Sequence, residues 1–428
     1  MDLLAKDKQY IWHPFSPLKG SGERLLVKSA KDCTITLEDN RALIDAISSW
    51  WVNPLGHCNK AIADAVYEQM LTLEHVIFAG YTHEPAINLS EKVLSLTKHN
   101  FSKVFFSDNG STSVEVGLKI AIQHFYNKGT AKQKILCFSD AYHGDTFGAM
   151  AVGQKGSFFK AFEEFLFEPI SIDTPTDANW DNYLERLEKL LASEKPAAFI
   201  FEPLIQGAGG MKMYRPEHLD TIVALCKKHD CITIADEVMT GFGRTGKMFA
   251  TDYLVNKPDI MCLSKCLTGG FLPMSITLVN EKVISEFDND DPSLAFYHGH
   301  SYTGNPIGCA AANAALALID SPECKANWER INTQHQSFAE KLKQHPLCKN
   351  IRITGTVLAF DVEDEVDGYF SDIKKKLSDS FLSSGVLLRP LGNVVYIMPP
   401  YIITDEELAK VYQAIIVALE KLNSSVEC

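Results

Sequence analysis

The sequence lacks the cysteine patterns of a disulfide framework and of a zinc site. Its 11 cysteines are an odd number scattered along 428 residues, with no Cys-x-x-Cys pair. The closest pairs, Cys226/Cys231 and Cys262/Cys266, are predicted to be reduced thiols in the core or on helix faces. We therefore expect no bound metal and a cytoplasmic location.

The sequence also lacks a long apolar run, a secretory leader and a basic stripe. No stretch of about 18 apolar residues occurs, and Asp and Lys interrupt the N-terminal segment MDLLAKDKQYIWHPF. The net charge of −13 disfavours a phosphate-backbone partner. We expect a protein that binds neither membrane nor nucleic acid.

Hydrophobic residues make up 46% of the chain, which is ample for a buried core. The length exceeds that of one ordinary core, so we expect two domains. Between about residues 60 and 320, helical patterns alternate with short apolar strands such as KVFFS, AAFIF and CITIA, which predicts an α/β domain with a mostly parallel sheet. We place its limits at residues 56–325, between an N-terminal segment (1–55) that contains a predicted hairpin and an α+β C-terminal domain (326–428).

Two predicted strands end on side chains that are costly to bury. CITIA leads directly into Asp236, and DIMCLS leads into Lys265. A protonated pyridine nitrogen would stabilise the carboxylate, and an amine in this position suits covalent attachment of a carbonyl cofactor. Each residue alone is more commonly a helix cap or a solvated lysine, but together they favour a cofactor site.

Two further strand ends carry polar loops. KVFFS is followed by Asp108 to Ser113 and an apolar helix, and free N–H groups at such a helix start can hold a phosphate, although a simple N-cap is the alternative. KILCFS is followed by a loop with Tyr142, whose ring could stack on a planar cofactor or be an ordinary buried tyrosine. The glycine clusters QGAGG and GFGRTG do not fit a dinucleotide fingerprint and are predicted to be tight turns lining the site.

The segments ADEVMTGFGRTG (235–246) and LSKCLTGG (263–270) resemble the signature of the class III pyridoxal-phosphate aminotransferases, with the lysine 29 positions after the aspartate. A serine-hydrolase elbow, a P-loop and a glycosidase carboxylate pair are missing. The resemblance runs nearly end to end. It implies fold type I, with a large domain around a mostly parallel sheet and a smaller α+β domain built from both termini, and a homodimer with shared active sites.

By this resemblance, Lys265 would be the catalytic residue that carries pyridoxal 5'-phosphate, Asp236 would pair with the pyridinium nitrogen and Tyr142 would stack on the ring. The other residues implied for cofactor binding are Gly110, Ser111, His300 and Ser301, of which Ser301 would come from the partner subunit. Those implied for substrate binding are Phe15, Trp50, Tyr142, Lys265, Gly299, Arg389 and Tyr396. For Arg389 the alternative is a salt bridge between domains.

Finer features, among them SSWWVNPLGH (48–57), resemble the branch of the family that moves an amino group from S-adenosylmethionine to 8-amino-7-oxononanoate in biotin biosynthesis. Ala208 and Met239 replace the Glu and Gln of the ornithine and 4-aminobutyrate enzymes. Phe15 and His300 depart from the branch, which commonly has Tyr and Pro there. Other class III ω-amino-acid or diamine aminotransferases, a racemase or mutase, a binding protein without turnover, and lysine as donor remain alternatives.

Overall fold

The computed structural model describes residues 2–20, 22, 24–154, 159–364 and 373–426. The strands are β1 (Val27–Lys31), β2 (Thr34–Leu37), β3 (Ala42–Asp45), β4 (Lys103–Ser107), β5 (Ile135–Phe138), β6 (Ile170–Ile172), β7 (Ala198–Phe201), β8 (Ile205–Gln206), β9 (Lys212–Met213), β10 (Ile232–Asp236), β11 (Ile260–Leu263), β12 (Ser275–Val279), β13 (Cys348–Thr354), β14 (Val357–Val362), β15 (Val386–Leu387) and β16 (Val394–Ile397).

The helices are α1 (Leu3–Tyr10), α2 (Ser48–Trp51), α3 (Lys60–Thr72), α4 (Glu84–Leu96), α5 (Gly110–Asn127), α6 (Phe147–Ala151), α7 (Trp180–Glu194), α8 (Pro216–Lys228), α9 (Glu281–Ile284), α10 (Pro306–Ile319), α11 (Pro322–Leu342), α12 (Ile373–Ser383) and α13 (Asp405–Val426). Short 3-10 helices cover Lys160–Phe165, Ala250–Tyr253, Lys265–Thr268, Ser285–Phe287 and Pro292–Leu294.

A seven-stranded sheet with the order β4-β12-β11-β10-β7-β5-β6 forms the centre of the large domain. Its pairs are parallel except where β12 runs antiparallel to β11 and β4. The inner strands β7, β10, β11 and β12 are buried along their whole length, because their sequences are nearly continuous apolar runs. The predicted α/β fold with a mostly parallel sheet is confirmed.

The smaller sheets combine the two ends of the chain. β2 and β3 form the predicted antiparallel hairpin, and β15 from the C-terminal part pairs in parallel with β3. A second antiparallel sheet has the order β13-β14-β16. This pairing is what the expected small domain from both termini requires, while the limits at residues 55 and 325 remain a proposal.

The described cysteines form no disulfide. All ten are free, nine of them are buried, and Cys58 is exposed. None of the helices within the described ranges is both long and apolar enough to cross a membrane.

Candidate active site

A cavity of about 600 Å³ opens where the carboxyl ends of the central strands meet the smaller sheets. Nine of the predicted site residues line it, namely Phe15, Trp50, Gly110, Ser111, Tyr142, Asp236, Lys265, Arg389 and Tyr396. They come from seven separate segments of the chain. The fold therefore brings together most of the set that the sequence predicted.

Lys265 follows β11 and begins a short 3-10 helix, with a φ of 43°. This left-handed backbone is unusual for a lysine and costs about 1–3 kcal/mol. Its Nζ lies 4.9 Å from the centre of the Trp51 ring. Burial lowers the pKa of the Lys265 amine, and the charge of Asp236 only partly opposes this effect. A larger fraction of the amine is therefore neutral and nucleophilic than for a solvated lysine.

Asp236 ends β10 with a buried carboxylate. Its Oδ2 lies 2.7 Å from Nδ1 of the buried His143, and its Oδ1 accepts a hydrogen bond from the Val238 amide at 3.1 Å. Because the carboxylate can only accept, Nδ1 of His143 donates to it. This pairing fixes the direction of the carboxylate in a cavity where a cationic ring nitrogen would be its natural partner.

The start of α5 offers a cradle for a phosphate. Asn109 caps the helix, since its side chain accepts from the Thr112 amide while the Thr112 hydroxyl accepts from the Asn109 amide. Ser111 follows Gly110 in the first turn, and its Oγ accepts from the Asp145 amide at 3.2 Å. With 18 residues behind it, this helix start carries the partial positive charge that binds anions.

The cradle is closed by a tight approach of two backbones. A Cβ at Gly144 would lie 2.1 Å from Oγ of Ser111, which no real contact allows. Because Gly144 has no side chain, the loop that carries Tyr142 and His143 can pack directly against the start of α5. Gly144, Lys265, Asp236 and the Tyr142 ring therefore line the same cavity. Together these groups fit pyridoxal phosphate.

The side chain of Glu202 fixes the loop that carries Tyr142 through hydrogen bonds to backbone amides. One of its oxygens accepts from the Tyr142 amide at 3.0 Å and the other accepts from the Gly207 amide at 2.8 Å. Burial raises the pKa of Glu202 to about 7, while His143 acts against the rise and Asp236 adds to it. Burial, followed by Asp145, also raises the pKa of the Tyr142 phenol, so this ring stays neutral.

The predicted substrate side is an aromatic wall with one cation. The Arg389 guanidinium carbon lies 4.6 Å from the centre of the Trp50 ring, and Phe15 meets the same indole edge-on at 5.5 Å between ring centres. Behind them, Trp51 donates from Nε1 to the Tyr396 hydroxyl at 3.0 Å. No carboxylate among the described residues forms a salt bridge with Arg389, so its charge is available in the cavity.

Gly299, His300 and Ser301 do not line the cavity of their own chain. All three are exposed, and the Ser301 carbonyl lies 2.6 Å from Nε2 of His75. The His300 amide donates to the Thr303 hydroxyl at 3.0 Å. Within one chain these three residues therefore lie outside the cavity, and their binding roles stay predictions.

Sequence reasoning missed His143, Glu202 and Trp51. Glu202 directly follows the apolar strand β7, so it carried the same indication as Asp236 after β10. His143 stands next to Tyr142, but nothing in its position predicts which carboxylate it meets. The sequence did not indicate that Trp50 and Trp51 have different neighbours. In the non-helical turn of α2, the Trp50 ring lies against Arg389 and the Trp51 ring lies against Lys265.

Comparison with known proteins agrees with this geometry. Residues 19–419 match the family described as aminotransferase class III. The chain belongs to the class III aminotransferase family.

Within that family, the chain is 45% identical to the adenosylmethionine-8-amino-7-oxononanoate aminotransferase of Synechococcus elongatus, over 96% of this chain and 99% of the relative. It is 38% identical to the Helicobacter pylori enzyme of the same name, over 98% of each. The crystal structure of that aminotransferase from Methanocaldococcus jannaschii has a TM-score of 0.93 and 32% identity, covering 98% of each chain. A Pseudomonas amine transaminase in its PLP-bound form has a TM-score of 0.91 and 26% identity, covering 96% of this chain and 98% of the other.

Proposed function

We propose that this chain transfers an amino group from S-adenosylmethionine to 8-amino-7-oxononanoate, giving 7,8-diaminononanoate for biotin biosynthesis. The enzyme is a pyridoxal-phosphate-dependent aminotransferase. The observation that carries the substrate assignment is the guanidinium of Arg389 against the Trp50 ring in the same cavity as Lys265. A cation on an apolar wall suits an acceptor with a carboxylate at the end of a long aliphatic chain.

Pyridoxal phosphate, when bound, stabilises negative charge at the substrate carbon and carries the amino group between the two substrates. We propose that Lys265 attaches the cofactor through Nζ. Once displaced, its neutral amine moves a proton to and from the substrate carbon, which the lowered pKa favours. Asp236, held by His143, keeps a proton on the ring nitrogen. The start of α5 with Gly110 and Ser111 binds the phosphate, and Tyr142 covers the ring.

On the acceptor side, Arg389 binds the carboxylate of the oxo-acid. Phe15 and Trp50 line the aliphatic chain, and Tyr396 supports the wall through Trp51. Ala208 and Met239 also line the cavity. Neither carries a charge that would neutralise the arginine, which leaves Arg389 free for a carboxylate in both half-reactions.

The decisive experiment is a donor screen at fixed 8-amino-7-oxononanoate, with S-adenosylmethionine, lysine, ornithine and 4-aminobutyrate, and with product analysis. S-adenosylmethionine is expected to give 7,8-diaminononanoate. Lys265→Ala, the matched control, should lose about 10²–10⁴-fold or more in rate because it lacks the proton-transfer amine. Wild-type turnover in that variant would refute the central assignment.

A second candidate is an ω-amino-acid or diamine aminotransferase. It is favoured by the ω-transaminase of Pseudomonas jessenii, whose structure has a TM-score of 0.93 and 26% identity to this chain. The donor screen separates the two, because this candidate predicts efficient transfer from ω-amines and little formation of 7,8-diaminononanoate.

We also propose a homodimer in which Ser301 of one subunit, with Gly299 and His300, completes the site of the other. The exposure of this segment supports the proposal. Mixed dimers of Lys265→Ala and Ser301→Ala subunits test it, since one native site is regenerated only if Ser301 acts across the interface. Higher cofactor affinity in the mixture than in Ser301→Ala alone is expected, and no gain would refute sharing.

The free thiols support the proposed cytoplasmic location.

A further inference from the structure

The segment that carries Trp50 has a strained backbone. In α2, three of four consecutive residues have a positive φ, with Ser48 at 50°, Ser49 at 60° and Trp51 at 69°. None of them is glycine, and a tryptophan in this region is a rare conformation. Such a turn persists only where neighbouring groups hold it.

The group that holds the turn is the carboxylate of Asp45, at the end of β3. Its Oδ1 accepts from the Ile47 amide at 3.1 Å, and its Oδ2 accepts from the Ser49 amide at 2.6 Å. Nε2 of His57 lies 2.8 Å from the same Oδ2. The Asp45 side chain is fully buried, so water cannot replace it as an acceptor.

The same segment is tied to both strands that bring the substrate residues. In the register of β3 and β15, Asp45 pairs with Leu387. Leu387 precedes Arg389 by two residues. The Ser48 hydroxyl donates to the Met398 carbonyl at 2.9 Å. Met398 directly follows β16, the strand that contains Tyr396. One short stretch therefore sets the indole of Trp50 relative to the guanidinium.

We propose that Asp45 is a positioning residue for acceptor recognition: its carboxylate, oriented by His57, holds the strained turn so that the Trp50 ring lies against Arg389. The acceptor named here rests on the proposed function. Asp45 does not line the cavity, so it acts through Trp50 and touches neither cofactor nor substrate.

The test is a double-mutant cycle between Asp45→Asn and Trp50→Ala in the holoenzyme. An asparagine offers one acceptor oxygen where the turn needs two, so at least one buried amide loses its partner. A displacement of about 1 Å at a binding wall costs up to about 100-fold, so kcat/KM for the acceptor should fall by about 10- to 100-fold, mainly through KM. In the Trp50→Ala background the further loss should be below about threefold.

A matched control separates positioning from loss of stability. Asp259 is also buried and accepts three hydrogen bonds, from the Thr233 amide at 2.9 Å, the Thr233 hydroxyl at 2.8 Å and Asn280 at 2.9 Å. It lies just before β11, at the edge of the sheet opposite the cavity. Asp259→Asn should leave the acceptor KM unchanged. Equal losses in Asp45→Asn and Asp259→Asn, or equal losses with and without Trp50, overturn the proposal.

A spectroscopic measurement does not depend on the substrate. The emission of Trp50, taken as the difference between each protein and its Trp50→Phe counterpart, should be quenched more strongly by acrylamide in Asp45→Asn than in the native holoenzyme. Unchanged quenching overturns the inference. By contrast, failure of the native enzyme to use 8-amino-7-oxononanoate overturns the proposed function and leaves this result standing.

If Asp45→Asn does not fold, the same substitution is made in Ser48→Gly/Ser49→Gly, where a positive φ carries little cost. The reference is then the double-glycine protein. A higher acceptor KM and stronger Trp50 quenching on adding Asp45→Asn support the proposal, and values for both that equal those of the double-glycine protein refute it.

Discussion

Gly144→Ala tests the proposed phosphate cradle at the point where two loops meet most closely. The new Cβ would lie 2.1 Å from Oγ, 2.6 Å from Cβ and 2.9 Å from Cα of Ser111. A rotation of the serine side chain would relieve the first contact but not the last, because Cα belongs to the backbone. Gly144 also has a φ of 131°, which side chains rarely adopt.

The two effects act together. A backbone forced into this region costs about 1–3 kcal/mol, and overpacking costs a similar amount, so we expect about 2–4 kcal/mol after partial relaxation. If the strain is relieved by a displacement of Ser111 and the start of α5, the same free energy is lost from cofactor binding. The apparent Kd for pyridoxal phosphate should then rise by about 30- to 1000-fold.

The assay is a titration of apoenzyme with pyridoxal phosphate, followed by absorbance of the bound cofactor. Gly129→Ala is the control, because Gly129 also has a positive φ, 71°, but a Cβ there meets no atom within 4 Å. It should bind cofactor like the native protein. Native affinity in Gly144→Ala would show that the α5 cradle does not bind the phosphate.

Three further perturbations have defined outcomes. Arg389→Gln should raise the acceptor KM by about 10- to 100-fold, since a hydrogen bond to a charged group contributes about 1.5–3 kcal/mol, and a native KM in steady-state assays would assign Arg389 to an interdomain contact. Tyr396→Phe leaves the buried Trp51 N–H without its acceptor and should destabilise the apoenzyme by about 1–3 kcal/mol in urea unfolding, whereas an unchanged midpoint would mean that the bond contributes nothing. Burial raises the pKa of Glu237 from its ordinary 4.5 to about 7, so this residue's stabilising contribution is complete below pH 4.5 and is lost as the pH rises through 7. The stability of native apoenzyme relative to Glu237→Gln should therefore fall by roughly 3 kcal/mol across that range, and a pH-independent difference in urea unfolding would contradict the raised pKa.

The sequence predicted the large sheet well, because its strands are buried on both faces and therefore appear as short apolar runs between amphipathic helices. The polar residues that end those runs, Asp236 and Lys265, were predicted for the same reason. A charged group at the end of a buried strand has few structural explanations. The shared edge of the sheet then brings them into one cavity.

The contacts between distant segments could not be predicted in this way. The bond from His143 to Asp236 joins a loop to the end of β10, 93 positions further along the chain, and no periodicity encodes it. The left-handed turn at Ser48 and Ser49 contains no glycine, which is the residue that usually indicates such a backbone. Its conformation follows from short-range hydrogen bonds to Asp45, and these are effective because the fold buries Asp45 beside His57.

The exposure of Cys58 gives the protein a selective chemical handle. The other nine described cysteines are buried, and burial raises the pKa of thiols such as Cys33 and Cys262, which slows their alkylation. With Cys428 replaced by serine, a maleimide dye should therefore attach at one place, next to His57. A dye there would lie beside the pair of His57 and Asp45, and its emission would report on the surroundings of the turn that carries Trp50.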